Sequence, residues 1–231
     1  MRILMFGATG MVGQGVLREC LRAPDVEYLQ TVGRSPSGQL DPRLYEVMHR
    51  DFTDYRSIEG SLMGFDACFF CLGVSSFGMS EADYTQITYD ATLAAAQTLA
   101  RLNPRMTFIY VSGAGTDSTE QGRTMWARVK GRTENALRRL PFKAVYLFRP
   151  GMIQPLHGAR SKTPAYRIVA ALAAPLLTPL RLLLPNHVLS TEDIGVAMLA
   201  LAREGIEQTV LEPRDIRAVC RAAAQRTAAL A

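Results

Sequence analysis

Near its start the chain reads "RILMFGATGMVGQGVL", residues 2–17, and few stretches restrict a fold more tightly. A short apolar run passes without a break into Gly7, Gly10 and Gly13, spaced G-x-x-G-x-x-G, and then into a helical pattern. Glycines there let the backbone turn sharply at a strand end and let a helix pack hard against the strand. The helix start offers unsatisfied N–H groups and a partial positive charge, which together suit a pyrophosphate. A glycine pattern alone says little. Between an N-terminal strand and a helix it is specific.

The rest of the chain repeats this alternation. Strand-length apolar runs are expected at 27–33, 45–49, 66–72, 107–113 and 143–151. Between them lie helical patterns at 11–22 and 81–102, and a helix from about Glu120 that carries Lys130. "DACFFCL" is apolar without alternation, as expected for a strand buried on both faces. The pattern predicts α/β architecture with right-handed crossovers and a doubly wound parallel sheet. In such sheets ligands bind beyond the carboxyl ends of the strands. With 231 residues, 48% of them hydrophobic, the expectation is one domain over 1–231. A small C-terminal portion, about 155–190, would cover the substrate.

Other function classes recede on composition. The net charge of +5 is modest and the basic residues are scattered, so nucleic acid is not an expected partner. The tract "IVAALAAPLLTPLRLLLP" is broken by Pro175 and Pro179 and carries Arg181, whereas a membrane span needs roughly 18 uninterrupted apolar residues. It is read as helices over the strand ends, walling a pocket or forming a homodimer face, and no membrane association is expected. The N-terminus lacks the basic region and long apolar core of a signal peptide. Cys68 and Cys71, three apart in a strand, should point to opposite faces as core thiols in a reducing cytoplasm. The three histidines are dispersed, so no metal site is expected.

The second strand ends in "TVGRSPSG". A carboxylate there would hold the ribose 2′-hydroxyl of NAD; Arg34 and Ser35 suit the 2′-phosphate of NADP instead. The plain alternative is a surface arginine in a turn.

Together these residues resemble the short-chain dehydrogenase/reductase superfamily in its atypical branch, near the Tat-interacting-protein-like oxidoreductases and NAD-dependent epimerase-like proteins. The resemblance implies a Rossmann-type domain holding NADP, with the phosphates over Gly7, Ala8, Thr9, Gly10, Met11, Val12 and Gly13. "HRDFTD" resembles the turn that flanks the adenine, at Asp51 and Phe52, and "CLGVSS" the segment beside the nicotinamide ribose, at Leu72, Gly73 and Val74. "FRPGMIQP" is similar to the loop that closes over the nicotinamide, with Pro150, Gly151 and Met152. "VLSTEDIGVAML" and "VLEPRDI" are similar to a late helix and a short last strand of the same families.

Chemistry in the superfamily uses Ser, Tyr and Lys, and the resemblance assigns Ser112 and Lys130 as the catalytic pair. The lysine also binds the nicotinamide ribose. The tyrosine position, however, holds Trp126, and an indole cannot release its proton at neutral pH. Tyr84, Tyr89, Tyr166 and His157 are the other proton carriers near the expected site, each more simply read as packed or solvated. Two functions stay open: an NADP-dependent oxidoreductase or epimerase acting on a small substrate, and an NADP-holding sensor or partner-binding protein.

Overall fold

In "ILMF" every side chain is buried, and neighbours face opposite sides of the sheet: Ile3 and Met5 join one core, Leu4 and Phe6 the other. That double burial requires a central strand with helices on both faces. The computed structural model describes residues 1–160 and 187–230. The strands are β1 (Arg2–Phe6), β2 (Tyr28–Gly33), β3 (Leu44–Met48), β4 (Ala67–Phe70), β5 (Thr107–Val111), β6 (Ala144–Phe148), β7 (Met152–Gln154), β8 (Val188–Ser190) and β9 (Val210–Leu211). Among the described residues one seven-stranded sheet runs β3-β2-β1-β4-β5-β6-β9, parallel at every pairing, and β7 pairs with β8 apart from it. This is the doubly wound Rossmann-type order, with its reversal between β1 and β4.

The helices are α1 (Met11–Arg22), α2 (Glu81–Thr85), α3 (Ala91–Leu102), α4 (Met125–Leu137), α5 (Thr191–Glu204) and α6 (Pro213–Leu230). One core lies under α1, α5 and α6, where Val16, Leu17, Ile194, Met198 and Ile216 meet Met5, Phe69 and Phe148. The other lies under α3 and α4, where Ala95, Leu99 and Leu137 meet Phe70, Phe108 and Tyr110. Cys68 belongs to the second core and Cys71 packs on the first, so the two thiols do take opposite faces.

Two expected elements differ in detail. The helix expected over 81–102 contains a π-helical turn, Gln86–Asp90, between α2 and α3. The helix expected from about Glu120 begins at Met125, because Glu120 has a φ of 62°. The Asp117 carboxylate holds the chain before it in a loop, accepting from the Thr119 N–H at 3.0 Å and the Gly122 N–H at 2.7 Å. Helix α5 starts on a capping box, Ser190 with Asp193. The apolar tract at 168–184 and most of the expected covering portion lie outside the described residues, as does Tyr166.

Candidate functional site

The glycine-rich loop leaves β1 at its carboxyl end and enters α1. A Cβ on Gly13 would lie 2.0 Å from the Gly7 carbonyl oxygen, so any side chain there would push the helix off the loop. Gly10 takes the N-cap position with no side-chain cap, and the first turn of α1 holds no acidic residue. The end of the helix is therefore open to an anion. Ala8 is buried while Thr9, Met11 and Val12 are partly buried. Behind the loop, Gln14 donates to the carbonyls of Thr9 and Arg160, each at 3.0 Å, and its own carbonyl accepts from the Arg160 N–H at 3.2 Å.

At one side are the ends of β2 and β3, paired Gly33 to Met48. Arg34 is exposed and forms no ion pair with a described residue; Ser35 is partly buried beside it. Asp51 accepts from the Thr53 N–H at 2.9 Å and its hydroxyl at 2.6 Å, bonds that hold its carboxyl below the usual range. His49 pins this turn from within: its Nε2 lies 2.5 Å from the Asp51 carbonyl and 2.9 Å from that of Asp54. Two carbonyl acceptors require Nε2 to carry the proton. The Phe52 ring sits edge-on to His49, with centroids 6.1 Å apart.

Toward the sheet centre the glycine loop packs against Cys71 and Leu72, with Gly73 and Val74 exposed beyond them. The exits of β5 and β6 are tied together: Ser112 donates from its N–H to Phe148 at 2.8 Å, and Ala114 to Pro150 at 2.9 Å. Pro150 is buried, while Gly151 and Met152 are exposed. The strand ends thus gather the expected residues along one rim of the sheet.

The Ser112 and Lys130 side chains are engaged in ways no motif announces. The Ser112 hydroxyl donates to Glu134 Oε1 at 2.5 Å, and the residue is 5% exposed, so the group turns inward. Glu134, 1% exposed, forms an ion pair with Arg149, whose Nε lies 3.1 and 3.2 Å from its two oxygens. Arg149 also reaches Ser118 at 2.6 Å and Glu212 at 3.3 Å. The Lys130 ammonium donates to the Ser112 carbonyl. Burial pushes it down to about 8, with Glu134 opposing that shift. One turn earlier, the edge of the Trp126 ring lies 3.5 Å from where a Cβ on Gly115 would be.

The other proton carriers are occupied. Tyr84 is 1% exposed, and burial raises its phenol further from the working range. Tyr89 lies 4.1 Å beneath the Arg132 guanidinium. His157 is exposed and paired with Glu192 at 2.7 Å. Among the described residues no cluster of three metal-ligating side chains occurs, and no helix is long and apolar enough to cross a membrane. Arg149 carries no local signal because its partners Ser118, Glu134 and Glu212 lie far along the chain, and Gln14 and His49 bond mainly to backbone carbonyls, which no residue pattern records.

No family model matches the chain. It is 23% identical over 154 residues to Protein HTATIP2 of Rattus norvegicus, a match covering 65% of this chain and 62% of that protein. The chain thus spans a little under two thirds of this relative's length. It is 24% identical over 219 residues to "Protein FMP52-2, mitochondrial" of Scheffersomyces stipitis, covering 90% of each. In structure, the Bordetella bronchiseptica enzyme WbmF, crystallised with NAD+, matches 98% of this chain and 78% of its own, with a TM-score of 0.68 and 15% identity. The expected cytoplasmic location is corrected by the mitochondrial designation of the fungal relatives. Free thiols report a reducing environment, not one compartment. Motif order, strand order and these sequence relatives agree in one direction: the chain has a Rossmann-type fold and is similar to the Tat-interacting-protein-like proteins, the resemblance its motifs carry.

Proposed function

We propose that this protein binds a nicotinamide dinucleotide along the strand ends, NADP(H) in preference to NAD(H). The observation that carries this reading is the open start of α1, where Gly10 caps the helix without a side chain, the first turn holds no acidic residue, and the absence of a Cβ on Gly13 lets the helix close on the loop at Gly7. N–H groups of residues 11–13 would hold the pyrophosphate, and Arg34 with Ser35 the 2′-phosphate. Asp51 and Phe52 would flank the adenine. Leu72 to Val74, Lys130 and the Pro150 to Met152 loop would border the nicotinamide riboside. Bound there, a nicotinamide supplies hydride chemistry. The chain's own residues are poorly set for the accompanying proton: residue 126 is an indole, and the Ser112 hydroxyl is directed at Glu134. The favoured reading is an NADP-holding protein that reduces ordinary carbonyl compounds slowly or not at all.

A second reading, an oxidoreductase acting on a small substrate, draws on one observation. The Lys130 ammonium is pushed down to about 8 and so can exchange its proton near neutrality.

Titration with NADPH and NADH, followed by nicotinamide fluorescence, tests the cofactor. A charge-assisted contact contributes about 1.5–3 kcal/mol, so NADPH should bind roughly tenfold tighter or better. Arg34→Ala should erase the difference. Equal affinities in the unmodified protein would overturn the NADP assignment.

A further inference from the structure

The chain holds three lysines, Lys130, Lys143 and Lys162, and uses arginine for nearly all its other cations. Lys130 is the one on α4. Its ammonium is aimed at a single carbonyl, that of Ser112 at the exit of β5. That carbonyl belongs to a residue held from below. The Ser112 hydroxyl donates to Glu134 at 2.5 Å, and its N–H donates to Phe148 on the neighbouring strand at 2.8 Å. Glu134 is in turn gripped by Arg149, which leads directly into Pro150 and Gly151 on the other wall of the site. One buried carboxylate therefore ties α4 to both strand exits.

We propose that Glu134 is a positioning residue for the nucleotide site: through the Ser112 hydroxyl it fixes the carbonyl that seats the Lys130 ammonium, and its charge balances that ammonium beneath the surface. The proposal rests on the nucleotide-binding reading and adds to it the group that controls its lysine. A neutral residue of the same shape would keep most of the hydrogen bonds and lose the balance. Arg149 would then keep Glu212 as its carboxylate partner, and Lys130 would lose the charge that offsets its burial.

The ionisable groups around Lys130 can be named. Glu134 is on its own helix, and Arg149 and Glu212 come from the exits of β6 and β9. Helices α2 and α3 pack on the other side of α4. There Glu81 is paired with Arg128 at 2.6 Å, Tyr89 lies under Arg132 and Tyr84 is buried. Glu134 is the one carboxylate whose field opposes the burial of Lys130. Removing its charge lowers the lysine's pKa further. The sign follows: a protonated lysine favours the nucleotide, so affinity falls as pH rises through the lysine's pKa, and Glu134→Gln moves that fall to lower pH.

The test is an NMR titration of lysine ε-carbons, with three signals to follow, beside NADPH affinities measured between pH 6 and 9. In Glu134→Gln the Lys130 midpoint should drop by about one unit, and NADPH affinity at pH 7.5 should fall about threefold as the protonated fraction drops from about three quarters to about one quarter. Ser112→Ala keeps the charge and removes the strut, so the midpoint should hold while affinity falls severalfold. Glu59→Gln, which removes a surface partner of Arg101, should change neither. An unchanged midpoint in folded Glu134→Gln overturns the proposal. So does unchanged affinity in Ser112→Ala, which decides the matter if Glu134→Gln does not fold. If the unmodified protein fails to bind NADPH, the nucleotide reading fails, while the midpoints still report whether Glu134 governs the lysine.

Discussion

Trp126 stands one helical turn before Lys130, and its ring lies against Gly115 in the loop leaving β5. At that position a phenol would sit beside an ammonium able to lower its pKa. The indole keeps the bulk and removes the titratable proton. Among the described residues the hydroxyls beside this site are engaged: Ser112 is bonded to Glu134, and the Thr116 hydroxyl donates to the Gly113 carbonyl at 2.7 Å. A positioned acid or base typically contributes about 10²–10⁴-fold in rate. Trp126→Tyr is therefore expected to gain measurable NADPH-dependent carbonyl reduction while binding NADPH about as well as before. A screen of aldehydes and ketones with both proteins checks this. Fast turnover by the unmodified protein, unaltered by Trp126→Phe, would show that another residue carries the proton.

Helix α4 carries Trp126, Lys130 and Glu134 on one face by their four-residue spacing, and it lies close to the loop that precedes it. The contact is made at Gly131, where a Cβ would come 1.7 Å from the Asp117 carbonyl oxygen. Both sides of that contact are backbone, so neither can yield by a rotamer change. Gly131→Ala should shift the helix away from the loop and cost about 1–3 kcal/mol, the usual penalty of overpacking. For a chain of this size that corresponds to a melting temperature lower by roughly 3–10 °C. Gly60→Ala is the control, since a Cβ there meets nothing within 4 Å. Calorimetry on the two variants makes the comparison; equal melting temperatures would mean that the tight contact is not rigid. Helix α1 depends on the same device, with Gly13 against Gly7.

Across the whole molecule, the candidate site draws on both halves of the sheet: the exits of β1, β2 and β3 on one side, of β4, β5 and β6 on the other. A nucleotide spanning that rim would bind the native arrangement and not the unfolded chain. Such a ligand stabilises by about 2.7 kcal/mol at a hundredfold excess over its Kd, or roughly 5–10 °C in melting temperature here. NADPH should produce that rise and NADH a smaller one at equal concentration. A melting temperature indifferent to both nucleotides would remove the site from the strand ends.

Period and local chemistry carried much of this protein's design in plain view. The helix expected over Met11–Arg22 forms over those residues, and β1 and β4 are buried on both faces as their unbroken apolar runs require. Cys68 and Cys71 take opposite sides because strand geometry leaves no other choice. Lys130 and Glu134 could be placed on one helical face by spacing alone. What that glutamate does was decided in three dimensions. Its partners come from Ser112 and Arg149, 22 and 15 residues away along the chain, and no local pattern records such contacts. The late start of α4 has a similar origin, since Asp117 reaches forward to Gly122 and holds the intervening chain in a loop. Periodicity reports which face of an element is apolar. The direction in which a buried hydroxyl or carboxylate turns depends on which donors the packed sheet brings within reach, and tertiary structure alone sets that.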